Sequence, residues 1–414
     1  KRLKSERRFQ IFCITAISFA LIFVLILFLN IFSSGYSAFY RTTIAIDVDY
    51  SQVIEDTTQF AAMSDDEINK LDLFRFSKKS IYSLFPDIED RKEKKLLIRI
   101  FSIEYEDEIK QFLIKNKENI KKIETVYLTA SDDVDQVRKG NYPRDLPEER
   151  RRIKDIQLEY YDILENNGRV KYEFNIPFLT RGDSREPELA GVGGSIVGSF
   201  LTIITVLILS FPIGILAAVY LQEFAKSNRF TDFIEININN LAAVPSIVFG
   251  LLGLGIILNV FGLPRSTPLV GGIVLSLMTL PTIIIATRAS LRAVPPSIRE
   301  GALAVGATKM QAVMHHVVPL AMPGALTGTI IGLAQALGET APLLLIGMVA
   351  FVVDVPSSPL DASASLPVQV YLWAESAERG YVEKTSATIM LLLGFLILLN
   401  LAAVLIRRKF ETKW

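Results

Sequence analysis

The chain has 414 residues, half of them hydrophobic, with 44 basic residues balanced by 44 acidic ones. A formal charge of zero supplies no broad basic face for a nucleic acid, and a single cysteine, Cys13, excludes an internal disulfide framework. The apolar residues gather in the first 35 positions and again from about Gly194, so a stretch with soluble character lies between two membrane-like regions.

About 20 apolar residues cross a bilayer as a helix, and six stretches qualify: 11–32, 196–221, 236–261, 269–291, 320–351 and 387–406. The first exceeds the apolar core of a secretory signal, and no small-x-small site closes it cleanly, so it reads as an uncleaved anchor. "KRLKSERR" precedes the first span and "RRKFETKW" follows the last. With an even number of spans, the Lys/Arg bias puts both ends in the cytoplasm. Loops 222–235, with Lys226 and Arg229, and 292–319, with Arg292, Arg299 and Lys309, are then cytoplasmic too. The short outer loops hold few basic residues beyond Arg265, Arg379 and Lys384.

Residues 36–193 fall outside the cytoplasm on this reading, since long domains translocate regardless of charge. Within them "LLIRIFSIEY", "IETVYLTA" and "VKYEFNIPFL" read as strands. "DLPEERRRIKDIQLEYYDILENNG" reads as a helix, with Asp145 and Pro147 near its start and Gly168 just past its end. The expected fold is an all-α polytopic membrane protein of six transmembrane helices with an inserted α+β extracytoplasmic domain. The inserted domain is expected to be dispensable for folding of the spans.

The loop "VPPSIREGALAVGATKMQAVMHHVVPLAMPG" has its own punctuation. Pro295 and Pro296 suit a helix start, and Gly306 suits a left-handed stop after "SIREGALAV". Thr308 can cap a second helix, "KMQAVMHHV", that ends at Pro319. Glu300, Ala302, Gly306 and Pro319 stand at the spacing of the cytoplasmic loop of ABC importer permeases, which this segment resembles. Gly301 replaces the first alanine of that pattern, at about 1 kcal/mol of helix propensity. His316 and Val318 replace its isoleucine and leucine. The resemblance implies that the loop docks into a cleft on an ATPase subunit, and small residues at 301 and 302 permit the close approach.

His315 and His316 are the only histidines. Adjacent residues on a helix point apart and no HExxH surrounds them, so no metal site is read here. No G-x-x-x-x-G-K-[ST] occurs, and "GVGGSIVGS" lacks the phosphate-holding lysine. The chain is therefore read as a transport subunit rather than an enzyme, with no cofactor of its own.

"NLAAVPSIVFGLLGLG", the loop above and "ALGETAPLLLIG" together resemble the permease subunit of bacterial phosphate-specific importers, of the PstA type, over about 194–414. "LTRGDSREPELAG" resembles the variant with a large outer insert. The resemblance implies an inner-membrane assembly with a second permease, an ATP-binding subunit dimer and a periplasmic phosphate-binding protein. Its domains would be an anchor over 1–35, the insert over 36–193 and a permease core over 194–414.

The segment 320–351 would be ~48 Å long as one helix, against ~30 Å of hydrocarbon. It must tilt, break or begin outside the bilayer, and Gly338 to Pro342 is the natural break. Irregular backbone survives there only against protein or a watery cavity, so Glu339 and Thr340 are expected to line a polar path. Glu339 has three open roles: pairing with a cation, accepting a hydrogen bond from a protonated phosphate oxygen, or capping freed N–H groups. Gln335 stands where many relatives carry arginine. Arg288 is a candidate cation for the path, or a side chain reaching the inner headgroups. Phosphonate or molybdate are alternative cargoes. A membrane receptor with an outer sensing domain would explain the insert but not the loop spacing or the broken span.

Overall fold

The computed structural model describes residues 2–52, 60, 63–117 and 122–410. Lys1 and the last four residues of the basic tail, read above as cytoplasmic, lie outside them. Helix α1 (Arg2–Gly35) leads through a 3-10 turn, Tyr36–Phe39, into β1 (Tyr40–Asp49). There follow α2 (Asp65–Asn69), α3 (Phe74–Tyr82), α4 (Arg91–Ile98), α5 (Tyr105–Asn116), β2 (Ile123–Thr129), α6 (Asp132–Arg138), α7 (Asp155–Asn166), β3 (Val170–Phe174) and α8 (Ile176–Thr180). The sheet runs β2–β1–β3, antiparallel throughout. Ile44 and Ile46 of β1 stand opposite Leu128 and Val126 and are fully buried. Helices α2 to α7 cover the sheet, closing a core around Ile68, Ile81, Leu97, Ile109 and Tyr161.

Three readings of this domain are corrected. "LLIRIFSIEY" is not a strand: α4 runs to Ile98, and beyond it lies a single isolated bridge from Phe101 to Ala130. Leu97 and Ile100 turn inward three residues apart, a helical spacing. The helix expected over 145–168 begins only at Asp155, where the Gln157 side chain accepts from the Lys154 N–H at 3.1 Å. "VKYEFNIPFL" is strand only to Phe174, because the Asn175 carboxamide oxygen caps α8 by accepting from the Phe178 N–H at 3.1 Å. Strand β1 itself was not foreseen.

After α8 the regular elements among the described residues are all helices. Helix α9 (Gly193–Val219) ends in a π-helical turn, Tyr220–Phe224. Then come α10 (Arg229–Ala242), α11 (Ser246–Leu252) with its π-helical extension Gly253–Leu258, α12 (Pro268–Ala293) and α13 (Pro296–Ala304). Helix α14 (Lys309–Ala312) runs through a π-helical turn into α15 (Val318–Gly338), and α16 (Ala341–Leu345), α17 (Leu366–Ala374) and α18 (Gly380–Phe410) complete the chain.

Among the described residues five helices are long and apolar enough to cross a membrane, and α10 with α11, bent by 105° at their junction, adds a sixth if the pair is one span. The stretch 236–261, expected to be one span, breaks because Pro245 stands before α11, which starts at Ser246. Helix α12 is the centre of the bundle, with 61% of its most apolar window buried against 0% for α1 and α18. Small residues set its contacts. A Cβ built on Gly328 of α15 would fall 2.2 Å from Ala286 of α12, the kind of close crossing that holds helices together in lipid.

Candidate functional site

The loop between α12 and α15 is built as its sequence suggests as far as Thr308. Helix α13 opens with proline in its first turn. At its end the Gly306 N–H donates to Leu303 O at 3.0 Å and the Ala307 N–H to Ala302 O at 3.1 Å, with Gly306 at φ +91°. That is the pair of hydrogen bonds of a Schellman stop, and its left-handed residue favours glycine. Thr308 then opens α14 with a reciprocal cap: its Oγ accepts from the Gln311 N–H at 3.3 Å, and Gln311 Oε1 accepts from the Thr308 N–H at 2.9 Å.

Pro319 does not end the second helix. It lies in the first turn of α15, which continues α14 without a break, so loop and span are one rod. Ala302 is buried, while Glu300 and Gly301 are exposed and nothing stands within 4 Å of a Cβ on Gly301. Around them Leu303, Val305, Met310 and Met314 expose apolar side chains, Val305 to 85%. His315 and His316 are exposed, and among the described residues no three metal-type ligands converge.

Two residues that the sequence reading did not assign fasten this loop. Arg299 of α13 donates to Glu223 at the end of α9, with Nη2 to Oε1 at 2.6 Å. It also donates to Leu291 O and Val294 O, each at 2.8 Å, where α12 ends. One guanidinium thus ties the loop to two spans, a task that suits its rigid fork of donors.

At the other end of the rod, α15 stops at Glu339, whose backbone is extended (φ −79°, ψ 125°), and α16 begins at Ala341. Pro342 lacks an N–H and its ring would meet the carbonyl four residues back, so the helix cannot pass through. Helix α11 packs against this break. A Cβ on Gly250 would lie 2.7 Å from Pro342 Cα, so only glycine lets the two pieces meet. Glu339 and Thr340 are half-buried, Gln335 is exposed, and a Cβ on Gly338 would meet nothing within 4 Å. Thr340 precedes α16 with no side-chain cap, and the Glu339 carboxylate has neither hydrogen bond nor ion pair among the described residues. The capping role is not realised in this arrangement.

Arg288 lies elsewhere. It pairs with Glu235 of α10. Gly324 faces Ser290, Gly328 faces Ala286 and Gly332 faces Thr279. On that antiparallel register Arg288 is level with about residue 326, roughly a dozen residues or ~18 Å along the helix from Glu339. The structure therefore brings Glu339, Thr340 and Gln335 to one end of α15 and leaves Arg288 beside its middle.

Comparison with known proteins covers the same region of the chain. Residues 194–413, which hold all of the elements just described, match the family "Binding-protein-dependent transport system inner membrane component". Residues 1–148 match a domain of unknown function, DUF3333. A probable ABC transporter permease protein YqgI of Bacillus subtilis is 30% identical over 172 residues, 42% of this chain and 58% of that protein. A phosphate transport system permease protein PstA 1 of Mycobacterium tuberculosis is 32% identical over 231 residues, 55% of this chain and 74% of the relative. A chain of the inward-facing MetNI methionine ABC transporter aligns with TM-score 0.43 at 20% identity, over 54% of this chain and 95% of that one. With its family match covering more than half of its length, this chain belongs to the binding-protein-dependent transport system inner membrane components, the permease subunits of ABC importers.

Proposed function

We propose that this chain is one permease of an ATP-driven importer of inorganic phosphate. It would pair with a second permease, engage two ATP-binding subunits in the cytoplasm and receive phosphate from a binding protein outside. The 292–319 loop and both termini lie on the cytoplasmic side, and residues 36–193 on the other. The phosphate naming of relatives supports the cargo, as does the "GETAP" segment.

The observation that carries this reading is the carboxylate of Glu339, unpartnered among the described residues, at the break between α15 and α16. An acid at membrane depth costs at least ~2.5 kcal/mol, which favours a polar path over lipid around it. Glu339, Thr340 and Gln335 line that path. A carboxylate accepts but does not donate, so it favours a monoprotonated or diprotonated phosphate over fully ionised sulfate. Arg288, held by Glu235, is engaged away from the break.

Force has a direct route. The ATPase would grip the exposed face of Leu303, Val305, Met310 and Met314 beside Glu300, Gly301 and Ala302. Arg299 passes the movement to α9 and α12, while the unbroken run from α14 to α15 passes it to Glu339.

Glu339→Gln tests this in the assembled transporter reconstituted in vesicles. It removes the charge and keeps the shape, and phosphate uptake is expected to fall at least about tenfold, or discrimination against sulfate to weaken by as much, the factor for ~1.4 kcal/mol. Native uptake with native anion preference would overturn the assignment of Glu339 to the path.

A further inference from the structure

An open groove of about 720 Å³ runs between α9, α15 and α18, and none of its lining residues belongs to the 292–319 loop or to the break from Gly338 to Pro342. Phe200, Leu207, Leu326, Leu333, Phe395 and Ile406 mark its length. Its one polar lining residue, Thr329, has its hydroxyl engaged, donating to Ala325 O at 2.9 Å. From Phe395 to Ile406 the groove follows α18 for about 16 Å, close to the depth of one leaflet of a ~30 Å hydrocarbon core.

Its mouth at the end of the loop is cationic. Arg407 follows Ile406 and reaches across to α15, where Nη1 donates to Thr327 Oγ at 3.3 Å. Its Nε is buried without a partner, and among the described residues no carboxylate pairs with it. Arg408 and Lys409 stand exposed beside it. The Arg407 Nε–H calls for an acceptor and its unpaired guanidinium for a negative charge, while a wholly polar occupant would not fit the apolar slot above it. Basic pockets between spans on the cytoplasmic side suit lipid phosphates.

We propose that this groove is a binding site for one anionic phospholipid, with an acyl chain along α18 and the phosphate on Arg407. The lipid would join α9 and α18 to α15, the span whose far end carries Glu339.

The test is native mass spectrometry of the full chain purified in non-ionic detergent and titrated with dipalmitoyl phosphatidylglycerol or dipalmitoyl phosphatidylcholine. One phosphatidylglycerol should be retained in preference to phosphatidylcholine. Arg407→Gln should cut that preference about fivefold, the factor for one cation at the membrane surface, and Arg407→Lys should keep most of it. Ala403→Trp, which fills the groove, should lose both lipids while still eluting as a single species. Equal retention of the two lipids by the native chain would overturn the proposal, as would an unchanged preference in Arg407→Gln. So would a crosslink from position 403 to another membrane protein in native membranes, which would make the groove a protein interface.

Discussion

At the scale of single residues, Asp132 shows how burial becomes a dependence on pH. It lies in the first turn of α6, wedged against Gly380, where an added Cβ would fall 2.0 Å from its Oδ1. Burial first, then the charges of Glu188, Asp135, Asp133 and Glu383, push its carboxyl from 3.8 up to about 7. Between those two values the folded chain holds a proton that the unfolded chain has released. The contribution is therefore fully present below about pH 4 and is lost as the pH rises through about 7. Burial raises Glu108 and Glu188 in the same direction, so several groups share the slope. The melting temperature of the purified chain should fall from pH 5 to pH 8, and Asp132→Asn should flatten that fall. A variant with the native pH slope would show that Asp132 is solvated in the folded protein.

At the scale of elements, the 292–319 loop is where sequence and structure agree best, because its devices are local. Prolines open α13, Gly306 stops it and Thr308 caps α14, all within a few residues of what they control. Nothing lies within 4 Å of a Cβ on Gly306, so a substitution there costs backbone strain and no clash. A left-handed non-glycine costs about 1–2 kcal/mol, and a β-branched residue fits worst. Gly306→Val should insert and assemble normally yet lose transport, with Gly306→Ala in between. Vesicles that import at the native rate with valine would show that the angle between α13 and α14 does not matter. What was illegible is non-local. Arg299 and Glu223 are 76 residues apart, and neither position announces the other. The 105° bend after Ala242 hides because hydropathy measures composition and not direction. Strand β1 hides because it begins five residues after α1 ends, so its alternation reads as the tail of a span.

At the scale of the whole molecule, the α+β domain and the last span share one buried charge cluster. Lys139, at the end of α6, lies 2.6 Å from Asp135 and 2.7 Å from Glu383 of α18, and its side chain is 2% exposed. Burial pulls its pKa down, but the two carboxylates outweigh that and raise it. Glu383 also accepts from Ser37 Oγ at 2.6 Å and Gln136 Nε2 at 3.0 Å, so α18, the link after α1 and the domain meet at one side chain. Earlier in the chain, Trp373 and Gln369 of α17 donate to Asp183 at 2.9 and 3.0 Å. The sequence alone suggested a domain the spans could do without. These contacts argue instead for folding as one unit, since Glu383 draws its cation from the domain. Lys139→Met would leave two carboxylates facing each other without it, and removing one partner of a buried pair typically costs about 3–5 kcal/mol. Adding Glu383→Gln should restore much of that loss, because only Asp135 then stays charged beside position 139. Thermal unfolding of the native chain, both single variants and the double variant in detergent gives the coupling directly. Strong coupling, with the double variant above Lys139→Met, is the expected result. Additive losses would mean that domain and spans are merely adjacent, and the domain could then be removed without cost to the bundle.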